Sequence, residues 1–116
     1  MSPDVSFRSN YIPSWEPLRP LFSACRGISE IVARYEYEND HEVIHDGSGA
    51  PHDVSISGNV MYYTQRESAS FFGRDPVTWD MVTKITFRDG KIAKIEMFLD
   101  PAPIEATYGI ASHERR

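Results

Sequence analysis

The string His41-Glu42-Val43-Ile44-His45 is the first candidate for chemistry. On a helix, two histidines four residues apart face the same way and can hold zinc, with the glutamate as base. Here Asn39 and Asp40 precede the string and Val43 and Ile44 are β-branched, so a turn followed by a strand is favoured over a helix. On a strand the two imidazoles stand about 13 Å apart, too far to share a metal. The expectation is therefore rim or surface histidines and no metal or other cofactor. A zinc-dependent hydrolase using His41, Glu42 and His45 is the remote alternative. Arg66 lies in a run of hydroxyl-bearing residues, Tyr62, Tyr63 and Thr64, inside a long β-branched and aromatic segment. Alternation allows two readings. Either Tyr62, Thr64, Arg66 and Ser68 face inward, or Arg66 faces solvent and Tyr63, Gln65 and Glu67 face inward. Asp100 stands before Pro101, where an acid-base residue at a strand end and a strand-terminating turn are both readable. Cys25 has no nucleophile signature around it and reads as packing.

The elements that must position these residues are legible in outline. Pro13, Pro17 and Pro20 make Ile12–Pro20 an irregular, partly extended loop. Before it, Val5–Arg8 reads as a short strand. After it, Ile28, Ile31, Val32 and Tyr35 follow the spacing of one buried helical face, predicting a helix over Ile28–Glu38. Downstream the chain reads as sheet. Glu42–His45 is a short strand, and Asp46–Asp53 is a turn-rich loop. Val54–Phe71 reads as one long strand bent near Gly58. Val77–Phe87 and Lys91–Asp100 are joined by Arg88-Asp89-Gly90, a hairpin signal. The tail from Pro101 is expected to be loosely held.

The hairpin's register decides which side chains share a face. Pairing Phe87 with Lys91 across a three-residue loop gathers Trp79, Met81, Ile85 and Phe87 with Ala93, Ile95, Met97 and Leu99. A two-residue Asp-Gly loop would mix apolar and charged side chains, so the three-residue loop is preferred. Trp79, Met81, Ile95, Met97 and Leu99 then form an apolar wall suited to a ligand pocket or to ordinary packing.

The chain has 116 residues, enough for one domain over 1–116. Hydrophobic residues make up 41% and the net charge is −5, which suits a folded domain and argues against nucleic acid as partner. No apolar run reaches the length of a membrane span. A lone cysteine and a start without a basic, apolar leader fit a cytoplasmic protein.

One strand, a proline-rich loop, one helix opened by Gly27-Ile28, and long antiparallel strands ending in VTKITFRDGKIAKIEMFLDP: in this order the sequence resembles the nuclear-transport-factor-2-like superfamily, in its SnoaL-like and limonene-epoxide-hydrolase-like branch. The resemblance spans about Val5–Pro101. It implies an α+β fold, a cone-shaped, strongly curved antiparallel sheet of about four to six strands wrapped around one main helix. It also implies a short form lacking the helices that usually precede the first strand, so that the pocket is open or covered by a partner subunit. Aligned with the hydrolases' Asp-Arg-Asp set, Arg66 takes the arginine's place. Ser68 and Met97 stand where the carboxylates should be, so epoxide hydrolysis is not expected.

The same alignment selects the inward reading of the long strand. Tyr62, Thr64, Trp79, Met81, Ile95, Met97 and Leu99 are then the ligand-binding wall. Arg66 would hold an oxyanion, and Asp100 or a histidine would move a proton. The function expected is binding of a small hydrophobic molecule, anionic if Arg66 meets it. This is compatible with an isomerase, cyclase or lyase acting on a small cyclic or polyketide-like molecule. A non-catalytic ligand- or partner-binding domain is the alternative. A homodimer is expected through an outer face carrying Val82, Ile92 and Phe98.

Overall fold

The computed structural model describes residues 1–45 and 48–110; Asp46 and Gly47 of the predicted loop and the charged end of the tail lie outside the described residues. Seven strands form one sheet: β1 (Ser6–Ser9), β2 (Cys25–Arg26), β3 (Glu42–Ile44), β4 (His52–Ser57), β5 (Val60–Phe71), β6 (Val77–Arg88) and β7 (Lys91–Leu99). Three helices accompany them: α1 (Arg19–Phe22), α2 (Ile28–His41) and α3 (Ala102–Tyr108), with a 3₁₀ turn over Glu16–Leu18. The sheet runs β2-β1-β7-β6-β5-β3, with β4 pairing β5 beside β3. All pairs are antiparallel except β1 with β7, which run parallel. The α+β cone is as expected, with more strands than four to six. No helix among the described residues is long and apolar enough to cross a membrane.

The predicted single strand Val54–Phe71 is instead a hairpin, β4 to β5, turning at Gly58-Asn59. Gly58 takes φ 60, the left-handed conformation that a two-residue hairpin turn asks of its first central residue. The second hairpin also departs from the expected register. Asp89 (φ 52) and Gly90 (φ 72) make a two-residue loop in place of the expected three-residue one, and Arg88 pairs with Lys91. Taken alone, that pairing would mix the faces. A bulge at Ala93 restores the separation: Phe87 pairs with Ile92, but Thr86 pairs with Lys94. Beyond the bulge Ile85 faces Ile95, Thr83 faces Met97 and Met81 faces Leu99. The face assignments hold, while the partners shift by two residues. Ile92, before the bulge, packs with Val5, Phe7, Ile31 and Ile95 rather than on the outer face assigned to it.

The core lies between the concave face of the sheet, the loop before α2, and α3. Val77, Trp79, Met81 and Leu99 join Leu18, Leu21, Phe22, Phe71, Ile104 and Tyr108 in one apolar cluster. The tail was expected to be loose, but through Tyr108 it is a packed helix. Pro103 sits in the first turn, where a missing N–H costs nothing. Asp100 Oδ1 accepts the Ala102 N–H at 3.0 Å. Ile104 and Tyr108, one turn apart, are fully buried, and the Tyr108 hydroxyl accepts the Phe71 N–H at 2.9 Å.

Helix α2 begins where predicted and runs one turn further. Its buried face is not the one that the apolar spacing predicts. Ile31 and Arg34 are buried, whereas Ile28, Val32 and Tyr35 are each about 40% exposed. The helix is rolled so that Ile31 packs with Val5, Phe7 and Ile95, while Arg34 and Glu38, with one side of the partly exposed Tyr35, border the interior of the cone. A charged pair therefore enters the interior.

Candidate functional site

Strand β5 carries polar side chains on both faces, so alternation does not decide which face is inner. Its pairing with β6 does. Glu67 lies opposite Trp79 and Gln65 opposite Met81, so both share the face of the buried β6 residues. Tyr63, Gln65 and Glu67 point into the cone, and Tyr62, Thr64, Arg66 and Ser68 point outward. The expected inward Arg66 is thus overturned. Its side chain is 71% exposed, with Nε 3.9 Å from Asp80 Oδ1, the residue directly across in β6. Tyr62 lies on the outer face under Lys84 Nζ, and Thr64 Oγ1 is 2.8 Å from His52 Nδ1. Asp100 is exposed beside a shallow outer hollow that also touches Thr64, and its carboxylate caps α3. The anion preference assigned through Arg66 loses its basis. An exposed pair at this distance contributes about 0–1 kcal/mol. Arg66→Met is therefore expected to change stability in urea by less than about 0.5 kcal/mol and to leave ligand binding in the cone unchanged.

The wall formed by Trp79, Met81, Ile95, Met97 and Leu99 does face the interior, with Met97 half-buried and the others buried. Between this wall and α2 lies a cavity of about 160 Å³. Phe7, Tyr35, Tyr63, Met81, Ile95 and Met97 give it apolar and aromatic surface; Arg34, Glu38, Gln65, Glu67 and Thr83 give it polar groups. A recess of about 20 Å³ lies beside it, bordered also by Trp79, Leu21 and Glu42. Arg34, Glu38, Glu67, Met81 and Met97 border both spaces.

Charges inside a cone are costly unless paired. Arg34 is paired: Nη1 is 3.1 Å from Glu38 Oε2, Nε donates to Leu21 O at 3.0 Å, and the guanidinium stacks over Phe7 at 4.3 Å. Glu42 and Glu67 have no such partner among the described residues. Burial pushes the Glu67 carboxyl up to about 7, with Glu38 adding to the rise and Arg34 opposing it. Burial likewise pushes Glu42 up to about 8, reinforced by Glu67 and Glu38 and again opposed by Arg34. Glu67 adds to the rise of Glu42, so the ionisation of one carboxyl disfavours that of the other. Trp79 Nε1 is buried and has no hydrogen-bond partner among the described residues. Gly49 (φ 86) passes close over Glu67: a Cβ there would stand 3.3 Å from Glu67 Oε1. This backbone is tied to β5 by Gly49 N–H to Arg66 O at 2.9 Å and by Ser48 Oγ to Ser68 O at 3.1 Å.

The histidine string divides between elements. His41 closes α2 and stacks on Phe72 at 4.4 Å, whereas His45 Nε2 is 2.8 Å from Ser70 Oγ beyond β3. No group of three His, Cys, Asp or Glu among the described residues is arranged to hold a metal ion. Glu42, noticed only as part of that string, reaches the cone because the chain turns from helix to strand at that point. The i, i+4 spacing of Glu30 and Arg34 predicts a pair on the outer face of the helix, but Arg34 is buried and pairs with Glu38, which the sequence reading does not single out. Glu67 belonged to the reading of β5 that was set aside.

No protein-family model and no curated protein matches the sequence. Solved structures do match. An NTF2-like protein from Burkholderia xenovorans superposes with TM-score 0.76 at 17% identity, covering 91% of this chain and 76% of that one. A provisionally named isomerase from Rhodopseudomonas palustris gives 0.73 at 19% identity, over 90% and 76%. A protein of ketosteroid isomerase-like fold from Catenulispora acidiphila, solved in complex with trimethylamine, gives 0.71 at 11% identity, over 92% and 75%. At these identities the likeness is one of fold. With its curled sheet closed over α2, this chain has the nuclear-transport-factor-2-like cone fold.

Proposed function

We propose that the cone binds a small, mainly apolar molecule about the size of one six-membered ring and moves a proton on it, with Glu67 as the base. The size follows from the cavity, since about 150 Å³ accommodates benzene. The observation that carries the chemistry is the Glu67 carboxyl on the cavity wall, held near 7 by burial, the value at which a general acid-base works best at neutral pH. A ligand carbonyl oxygen in the recess would accept from Trp79 Nε1. Glu67 would take a proton from the adjacent carbon, the C–H electron pair would move toward that oxygen, and the proton would return to the same or a conjugated carbon. This is isomerase-class chemistry, and one similar fold carries that provisional name.

Exchange of the α-hydrogens of cyclohexanone in D₂O, followed by NMR, tests the reading. The rate above buffer is expected to rise with pH through about 7 and to be lost in Glu67→Gln. Cyclohexanone that binds without accelerated exchange would leave the non-catalytic binding domain instead. The homodimer reading is supported by Tyr62, Val82 and Phe98, each about 40% exposed on the outer face. Light scattering should then give the mass of two chains, and a one-chain mass at micromolar concentration removes this part.

A further inference from the structure

We propose that the ligand of this cavity is a small organic cation, a protonated amine that also carries a hydroxyl or carbonyl oxygen. This rests on the reading of the cone as a ligand site, not on the proton transfer, since a Glu67 carboxylate paired with an ammonium binds the ligand instead of taking a proton from its carbon.

The groups around the cavity give the sign of the charge. From α2 come Arg34 and Glu38, from β3 Glu42, and from β5 Glu67; β6 and β7 contribute Trp79, Met81, Thr83, Ile95 and Met97. Arg34 is committed to Glu38 and to the Leu21 carbonyl. Two carboxyls remain with no ion-pair partner among the described residues and feel the Arg34 charge only beside Glu38, at a site where burial makes an unpaired charge expensive. An anionic ligand would add negative charge beside two carboxyls that already resist ionisation. An ammonium nitrogen against Glu67 would supply the missing partner, and the rings of Tyr35, Tyr63 and Phe7 around the larger space suit its organic substituents.

The oxygen follows from a separate observation. Trp79 is 4% exposed, its Nε1 has no partner among the described residues, and its ring borders the recess shared with Glu42 and Glu67. Indole N–H only donates, so it calls for an acceptor. The recess, about 20 Å³, has room for one oxygen atom. That oxygen belongs to the ligand or, for a ligand without one, to a water.

Calorimetry with 4-hydroxypiperidine, which stays protonated between pH 6 and 8, separates the outcomes. The neutral isostere cyclohexanol and the anion cyclohexanecarboxylate serve as comparisons. Only the ionised Glu67 accepts the ammonium, and its carboxyl lies near 7, so affinity is expected to rise about tenfold from pH 6 to pH 8. Two buffers of different ionisation enthalpy should report close to one proton released at pH 6 and little at pH 8. Glu67→Gln should remove both the pH dependence and the proton release, and Trp79→Phe should weaken 4-hydroxypiperidine more than piperidine. Cyclohexanol binding as tightly as the amine at pH 8, or the carboxylate binding more tightly, overturns the cation while leaving a ligand-binding cone. Binding by none of the three overturns the cation and the ligand-binding reading together.

Discussion

Glu67→Gln is expected to be more stable than the parent by about 2 kcal/mol at pH 8.5, to match it near pH 5, and to be less stable by about 1 kcal/mol below about pH 4. In the folded protein this carboxyl is raised from 4.5 to about 7, and its neighbour Glu42 to about 8. A carboxyl raised on folding makes the folded state bind more protons than the unfolded one, so stability falls as pH rises from about 4.5 to about 8. This is the reverse of the behaviour of salt-bridged carboxylates. Taken alone, the Glu67 shift is worth about 3 kcal/mol at alkaline pH. A buried glutamine amide that lacks full hydrogen bonding returns about 1 kcal/mol of this. Urea denaturation of both proteins across pH 5–9 provides the check. A parent whose stability rises or stays flat over that range would mean that neither carboxyl is desolvated as the cone implies.

Removal of the cation should have the opposite and larger effect. Arg34→Leu takes away the guanidinium that pairs with Glu38, donates to Leu21 O and stacks on Phe7. Breaking a buried pair by deleting one partner costs about 3–5 kcal/mol; since Glu38 is 28% exposed and can partly rehydrate, about 3 kcal/mol is expected at pH 7. The double variant Arg34→Leu with Glu38→Leu should recover at least half of that loss, because no orphaned charge then remains. Arg34 is also the positive charge that opposes the rise of Glu42 and Glu67, so both should titrate still higher in Arg34→Leu, as followed by carboxyl NMR. An Arg34→Leu protein as stable as the parent, with unmoved carboxyls, would mean that the interior pair plays no electrostatic role.

What the sequence determined is the set of elements and the faces of the strands with strong contrast. In β6 and β7 the apolar residues alternate with charged ones, so Trp79, Met81, Ile95, Met97 and Leu99 could face only the core, and no error of two residues in register could move them. The proline loop, the start of α2 and the position of the hairpin at Arg88-Asp89-Gly90 were legible because proline and glycine restrict or release the backbone locally. The tertiary structure decided everything that local contrast left degenerate. Strand β5 is polar on both sides, and only its register against Trp79 and Met81 sends Glu67 inward and Arg66 to solvent. Helix α2 offers an apolar stripe, yet it is rolled to bury Arg34, because the pair with Glu38 and the carbonyl of Leu21 satisfy the charge there. The two-residue turn and the bulge at Ala93 are a further case, since each alone would misplace a strand face and together they cancel. Glu42 and Glu67 are 25 positions apart and become one acidic pair only when β3 is laid against β5. Side-chain alternation is a property of a single strand, whereas the pairing, helix roll and burial that set charge and proton affinity belong to several elements at once.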